Sequence, residues 1–169
     1  MSKQGKKIDS DVKEMLVHWP AIGYDAHEKN SEVREFYAKM EGAVSAKSGF
    51  FSKKKLTDIF IFAMLLGKHE GLTEDYIENK KGRKPSINAI YFADNPNYVW
   101  MMIAVALDEI SKNDPKRDVT ELVLPENSKE IVEICEKYAN HGIHELIRMH
   151  KEEGVLGYEN KFRELLDEK

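Results

Sequence analysis

The stretch LTDIFIFAMLL, from Leu56 to Leu66, sets the expected fold class because Ile59 through Leu66 are eight consecutive apolar residues. A helix that is apolar on all sides belongs in the centre of a fold. The β-branched and aromatic residues at the start of the run also suit a strand. The length of the run and the segment Ala63-Met64-Leu65-Leu66 favour a helix instead. We expect Gly67, directly after the run, to stop this helix.

A second apolar run extends from Tyr98 to Leu107 and follows the dipeptide Asn95-Pro96. This dipeptide is typical of a helix start, with Asn as the N-cap and Pro at the first helical position. The run is too short to span a bilayer, which needs about 20 residues. The two runs therefore predict a buried pair of helices, and we expect Trp100, Met101 and Met102 to lie in the core.

Shorter periodic patterns predict further helices on both sides of this pair. Apolar residues at helical spacing mark two helices before it, one ended by Pro20 and one stopping near Ser48. A long helix is expected from Asn127 or Ser128 to about Lys151, followed by a short terminal helix. The residues that carry these patterns are Ile8, Val12, Leu16 and Trp19; Val33, Phe36, Tyr37, Met40 and Val44; Ile131, Cys135, Tyr138, Ala139, Gly142, Leu146 and Met149; and Tyr158, Phe162, Leu165 and Leu166.

Two segments are candidate strands, 88–92 before the second apolar run and 120–124 after it, and together they could form a two-stranded ribbon. The expected fold is therefore mainly α, compact and single-domain, with room for this small β element. Residues 1–169 are expected to form one helical domain. It would comprise an N-terminal helical lead (1–48), a core (50–151) and a C-terminal helix (155–169).

Composition places the chain among soluble globular proteins, at 169 residues with 41% hydrophobic and 33% charged residues. Its one cysteine, Cys135, excludes an intramolecular disulfide framework and the cysteine-based zinc signatures, and it suits a reducing compartment. The polar, basic start at Met1 to Lys7 has no apolar segment behind it, so it does not resemble a signal peptide or a membrane anchor. We therefore expect a cytoplasmic protein without a membrane partner.

The net charge of -4 argues against coating nucleic acid by bulk charge, but the charge is unevenly distributed. Residues 47–84 carry +4 and residues 121–169 carry -5. Two basic clusters, Lys53 to Lys55 and Lys80 to Lys84, carry most of the positive charge of residues 47–84. They are open to two interpretations, a solvated surface that keeps the protein soluble or a patch that contacts DNA phosphates. The candidate nucleic-acid-binding residues are Lys53, Lys54, Lys55, Lys80, Lys81, Arg83 and Lys84.

The evidence for catalysis in the sequence is weak. His141 and His144 are three residues apart on the long predicted helix, and with Glu145 they are weak candidates for a divalent metal site. Solvated or interface polar residues are the competing interpretation. Cys135 lies on the apolar face of its helix, which predicts a buried, unreactive thiol. Motifs for nucleotide binding and hydrolysis are absent from the sequence, so we expect no cofactor and regard an enzyme as the less favoured class.

Three segments of the sequence resemble a known pattern. They are FSKKKLTDIFIFAMLLG (51–67), the basic loop GRKP (82–85) and EKYANHG (136–142). In this order they resemble the small proteins associated with Dnd DNA phosphorothioation gene clusters, over roughly Phe50 to Met149. The resemblance implies an accessory role in DNA modification, restriction or antiviral defence, with DNA or other proteins of the system as partners. It implies no catalytic residue.

The predictions leave two other function classes open. One is a protein-interaction module that docks a basic partner through the acidic stretch Glu121 to Lys169. The other is a metal-dependent hydrolase or nuclease that uses the histidine pair with Glu145. Within the EKYANHG segment, Gly142 is expected to permit close approach of another helix.

Overall fold

The computed structural model describes residues 11–23, 32–33, 35–36, 55–71, 86–118 and 127–152. These residues are mainly helical, which confirms the predicted fold class. The helical parts are α1 (residues 11–16), α2 (residues 32–33 and 35–36), α3 (Leu56–Glu70), α4 (Pro96–Asn113), α5 (Ser128–Glu152) and a 3-10 helix (Ala89–Asp94). Two short strands, β1 (Ile22–Gly23) and β2 (Ser86–Ile87), complete the described elements.

The first apolar run forms α3, the central helix of the described core. Ile59, Phe60, Ala63 and Met64 are all fully buried, as expected for a helix that is apolar on all sides. The predicted stop at Gly67 is wrong, because α3 continues to Glu70. The helix ends instead at Gly71, whose φ of 67° is the left-handed conformation that glycine adopts at low cost.

Gly67 is used for helix packing. Helices α3 and α5 cross in an antiparallel sense, with Ala63 opposite Gly142 and Gly67 opposite Tyr138. A Cβ atom on Gly142 would lie 2.7 Å from the carbonyl carbon of Ala63 and 2.9 Å from the backbone nitrogen of Gly67. The two backbones are therefore in direct contact, which confirms that Gly142 permits close approach of another helix.

Helix α4 lies parallel to α3. The hydroxyl of Tyr98 donates to Asp58 near the start of both helices, and Lys68 pairs with Asp108 further along. The second contact is ten residues beyond the first on each helix, or about 15 Å along the axis. The two helices therefore begin at the same end of the molecule.

The predicted burial of the second apolar run is correct in part. Helix α4 extends to Asn113, beyond the predicted end, and Met102 is fully buried. Trp100 and Met101 are 49% and 39% exposed, so their assignment to the core is wrong. Helix α4 packs more extensively on α5 than on α3, and its side with Trp100 and Met101 faces solvent.

The small β element is present, but it is formed by other residues than predicted. Strands β1 and β2 pair in an antiparallel sense, with Ile22 opposite Ile87. The segment 88–92, one of the two candidate strands, instead enters the 3-10 helix, because the Asn88 side chain accepts the Ile90 N–H and caps it. The other candidate strand (120–124) and the predicted C-terminal helix (155–169) lie outside the described residues.

The N-terminal elements share the core of α3, α4 and α5. Val12, Leu16 and Trp19, from the first predicted helical pattern, belong to the same hydrophobic cluster as the long helices. Val33 and Phe36 of α2 belong to it as well, and the Phe36 ring meets His150 of α5 edge to face. Among the described residues, no helix has both the length and the apolar character needed to cross a membrane.

Candidate functional site

Of the seven predicted nucleic-acid-binding residues, Lys55 is the one within the described part of the chain. The others, Lys53, Lys54, Lys80, Lys81, Arg83 and Lys84, lie outside the described residues, so their role stays a prediction. Lys55 is the N-cap residue of α3. The structure therefore places the end of the first basic cluster at the start of the central helix.

The backbone at Lys55 is fixed by Asp58. The Lys55 N–H donates to Oδ2 of Asp58 over 2.6 Å, and the Tyr98 hydroxyl donates to Oδ1 of the same carboxylate over 2.6 Å. Partial burial and the hydrogen bond to Asp58 raise the pKa of Tyr98, so this phenol stays a donor. Asp58 thus links the starting turns of α3 and α4.

The side chain of Lys55 forms an ion pair with Asp94, the last residue of the 3-10 helix. The distance from Nζ to Oδ2 is 2.6 Å, and the two side chains are 61% and 58% exposed. The hydrogen bond and the charge of Asp94 raise the pKa of Lys55. The same bond and the charge of Lys55 lower the pKa of Asp94, and the charge of Lys13 on α1 lowers it further. Lys13 and Lys55 therefore both act on one exposed carboxylate.

The parallel arrangement of α3 and α4 places two helix N-termini at one end of the molecule. Each helix carries a macrodipole equivalent to about half a positive charge at its N-terminus. The positive ends of α3 and α4 lie side by side next to Lys55, and the charge of Lys13 acts on Asp94 beside them. Because α5 runs antiparallel to α3, its negative C-terminal end points to the same end of the molecule and offsets part of this charge. Asp58 and Asp94 provide the opposing negative charge. We call Lys13, Lys55 and Asp94, with the first turns of α3 and α4, the paired N-terminal end.

A second polar cluster joins α3, α4 and α5, and the sequence did not reveal it. Lys68 Nζ lies 2.6 Å from Asp108, 3.4 Å from Glu109 and 3.2 Å from the Tyr138 hydroxyl. The Tyr138 hydroxyl also donates to Glu109. Lys112, on the turn after Asp108, pairs with it as well. The i, i+4 spacing of Asp108 and Lys112 was the one local signal of this cluster, whereas the contacts with Lys68 and Tyr138 depend on tertiary packing.

The protonation states in this cluster suit structural stabilisation. Partial burial disfavours the charge of Lys68, but its bonds to Asp108 and Tyr138 more than compensate and raise its pKa. Burial and the bond to Glu109 raise the pKa of Tyr138. The bond from Tyr138 lowers the pKa of Glu109, and bonds from Lys112 and Lys68 lower that of Asp108 to about 2. Each group is thereby held in its ordinary ionic form, the opposite of an activated base or nucleophile.

An open cavity of about 370 Å³ lies beside this cluster, between the end of α4 and the start of α5. Arg117 and Glu130 form two parallel hydrogen bonds, of 2.7 and 2.6 Å, in its wall. Such a bidentate pair fixes the loop after α4 against α5. The cavity is lined by Glu109, Ile110, Asn113, Asp114, Arg117, Glu130, Glu133, Ile134, Lys137 and Tyr138.

The structure gives the candidate metal residues other partners. His141 Nε2 lies 3.1 Å from Glu70 of α3, and Glu145 accepts bonds from Arg148 Nε at 2.8 and 3.0 Å. Among the described residues, no group of three or more His, Cys, Asp or Glu side chains could hold a metal ion. The arrangement on α5 therefore gives the metal-site hypothesis with His144 no support.

Cys135 is buried where α4 and α5 meet, as its place on the apolar face predicts. Its thiol donates to the carbonyl oxygen of Met102 at 3.4 Å. Burial, and to a smaller extent the charge of Glu136, raise the pKa of this thiol far above its usual range. It is therefore held as an unreactive thiol in the native state.

These sites define the described part of the chain as a helical protein with two helix N-termini at one end and a stabilising polar cluster. Comparison of the chain with protein families, with curated proteins and with solved structures gives no match.

Proposed function

We propose that this chain is a non-enzymatic accessory protein of a DNA modification, restriction or antiviral defence system. It contacts DNA, or a partner bound to DNA, through the paired N-terminal end and the two basic clusters that adjoin it in sequence. The observation that carries the DNA contact is the parallel start of α3 and α4 at the end where Lys55 lies. A cytoplasmic location is part of the proposal.

The position of Lys55 supports this choice. Lysine at a helix start opposes the helix dipole and does not stabilise the helix, so a cation there favours a binding role. Lys53 and Lys54 immediately precede Lys55, in a block of residues 47–84 that carries +4 within a chain of net charge -4. The basic charge is thus concentrated in sequence next to the end of the molecule where the helix dipoles also favour an anion.

The described chain that follows the second basic cluster in sequence leads to the same end of the molecule. That cluster ends at Lys84, two residues before Ser86 of β2. From Ser86, the strand and the 3-10 helix reach Asp94 over about 20 Å, at about 3.3 Å and 2.0 Å per residue. Asp94 pairs with Lys55. A duplex turn is about 34 Å long, so Ser86 and Lys55, the described residues at or next to the two clusters in sequence, lie within the length of one turn of DNA.

The resemblance of three segments to Dnd-associated proteins supports the assignment to a DNA modification system. The first segment contains Lys53 to Lys55, the second contains Arg83 and Lys84 of the other basic cluster, and the third contains Tyr138 and Gly142. The third segment has a structural role here, through the polar cluster and the contact with α3. The part of the resemblance that bears on DNA therefore rests on the basic segments.

Binding to a short duplex over a salt series tests the proposal. The affinity of the parent chain should fall as salt rises, with a slope of about -0.9 for each phosphate contacted. The triple variant Lys81→Gln, Arg83→Gln, Lys84→Gln should bind more weakly, and its slope should be shallower by up to about 3. The readout is fluorescence anisotropy of a labelled duplex.

A matched variant controls for net charge. Lys112→Gln, Lys116→Gln and Lys129→Gln remove the same three charges from exposed positions on α4, on α5 and in the loop between them. This variant should retain most of the parent's affinity and slope. If the parent shows no salt-dependent binding, or if the two triple variants weaken it equally, the proposed DNA contact is wrong.

A further inference from the structure

We infer that Lys13 and Lys55 form a phosphate-binding site that Asp94 occupies in the free protein. The Asp94 carboxylate takes the place of a phosphate oxygen and leaves when a phosphodiester or inorganic phosphate binds. The claim that this site binds a phosphate of DNA rests on the proposed function, whereas its binding of inorganic phosphate can be tested without DNA.

The geometry of the ion pair is that of an anion held by a lysine. The Lys55 ammonium donates to Asp94 Oδ2 at 2.6 Å, the short distance of a charge-assisted hydrogen bond. More than half of each side chain is exposed, so a ligand can reach the pair from solvent. Lys13, exposed on α1, is near enough for its charge to act on the same carboxylate. Lys55 thus bonds the exposed carboxylate, and the charge of Lys13 on a separate element also acts on it.

The backbones that carry the pair are fixed, so the exchange requires movement of side chains alone. The Lys55 N–H is bonded to Asp58 at the start of α3. Asp94 ends the 3-10 helix, and the Asn95 N–H after it donates to Phe92, whose ring is buried against Phe60. An exposed ion pair contributes little to stability, so breaking it costs little. Phosphate oxygens accept the same charge-assisted bonds from lysine.

This arrangement makes Asp94 an internal competitor for polyanions. With Asp94 in place, the contribution of Lys55 to binding is reduced, because the carboxylate must be displaced first. Asp94→Asn removes the competing charge and leaves Lys13 and Lys55 in position. One additional phosphate bound by these lysines should strengthen duplex binding about tenfold at 50 mM salt and about threefold at 200 mM salt, with a slope steeper by about 0.9.

The test compares Asp94→Asn with Asp108→Asn, measured by anisotropy with the same labelled duplex. Asp108 is also an exposed aspartate paired with lysines, but it lies on the turn of α4 that faces Lys68. Both variants change the net charge equally. We expect Asp94→Asn to bind the duplex more strongly than the parent, and Asp108→Asn to bind it as the parent does. Adding Lys13→Gln to Asp94→Asn should reverse the gain. Equally strengthened binding in the two aspartate variants, or unchanged binding in Asp94→Asn, would overturn the inference.

A second measurement separates this inference from the proposed function. Inorganic phosphate is titrated into the parent and Asp94→Asn proteins, and the lysine side-chain ammonium signals are followed by NMR. The signals of Lys13 and Lys55 should shift, at lower phosphate concentration in the variant. If they do so while no protein binds DNA, the phosphate site stands and the proposed function falls. If the parent binds DNA but neither titration moves these signals, the phosphate site falls and the proposed function stands.

Discussion

At the scale of single residues, the contact between Gly67 and Gly142 makes the sharpest prediction about stability. In an isolated helix, Gly142→Ala would be stabilising by about 1 kcal/mol, because alanine is the better helix former. In this fold the added Cβ would collide with the backbone of Ala63 and Gly67, which cannot rotate away as a side chain could. We expect a net loss of about 3 kcal/mol in the free energy of unfolding, measured by urea denaturation.

Gly71→Ala is the control for this substitution. Among the described residues, no atom lies within 4 Å of a Cβ at Gly71, but its φ of 67° is left-handed. The expected loss of about 1 kcal/mol comes from backbone strain alone. A Gly142→Ala protein as stable as the parent would contradict the backbone contact between α3 and α5.

At the scale of helices, the polar cluster around Lys68 links α3, α4 and α5 and makes their packing depend on pH. The pKa of Asp108 is lowered to about 2 by bonds from Lys112 and Lys68. A carboxylate with a lowered folded pKa stabilises the fold above its unfolded pKa of about 4, and this stabilisation is lost as the pH falls toward the folded value. The free energy of unfolding should therefore decrease between about pH 4 and pH 2.

The variant Asp108→Asn isolates this contribution. Its free energy of unfolding should be lower than that of the parent at pH 6 and should fall less steeply between pH 4 and pH 2, as measured by urea denaturation at each pH. Asp114→Asn is the matched control, because the described part of the chain contains no ion pair of Asp114. If the free energy of unfolding falls equally between pH 4 and pH 2 in the parent and in Asp108→Asn, the ion pairs of Asp108 do not stabilise the fold.

The helices also show which features of the fold could be predicted from the sequence and which could not. The helices were predictable because apolar spacing and the Asn95-Pro96 start are local signals, and α5 begins and ends close to the predicted bounds. The stop at Gly67 was predicted wrongly because a glycine after an apolar run also suits a close helix crossing, which depends on a partner 75 residues away. The exposure of Trp100 likewise follows from how α4 packs, which its own apolar run does not determine.

The candidate site was less predictable than the fold. The charge pattern pointed to Lys55, but its partner Asp94 is 39 residues away, and the predicted role of the segment around Asp94 was helix capping. Lys68 and Tyr138 are 70 residues apart and meet only through the crossing of α3 and α5. Charge patterns along a chain thus indicate which residues can form ion pairs, whereas the pairs they form depend on tertiary structure.

At the scale of the whole molecule, Cys135 reports the opening of the core. Its thiol lies between α4 and α5 and is bonded to Met102, so a thiol reagent reaches it only when these helices separate. Burial raises its pKa in the native state, and unfolding removes this effect. We therefore expect Cys135 to react with a disulfide reagent slowly under native conditions and at the rate of a free thiol in high urea.

The dependence of this reaction on urea distinguishes global opening from local fraying at the start of α5. If opening is global, the logarithm of the rate in low urea should rise with the slope of the equilibrium unfolding curve, whereas fraying would leave it nearly flat. Gly142→Ala, which weakens the crossing of α3 and α5 and so lowers global stability, should then speed the reaction about 100-fold for a loss of about 3 kcal/mol, since 1.4 kcal/mol corresponds to a factor of ten. A fast native reaction that neither urea nor Gly142→Ala changes would show that Cys135 is reached without opening the core.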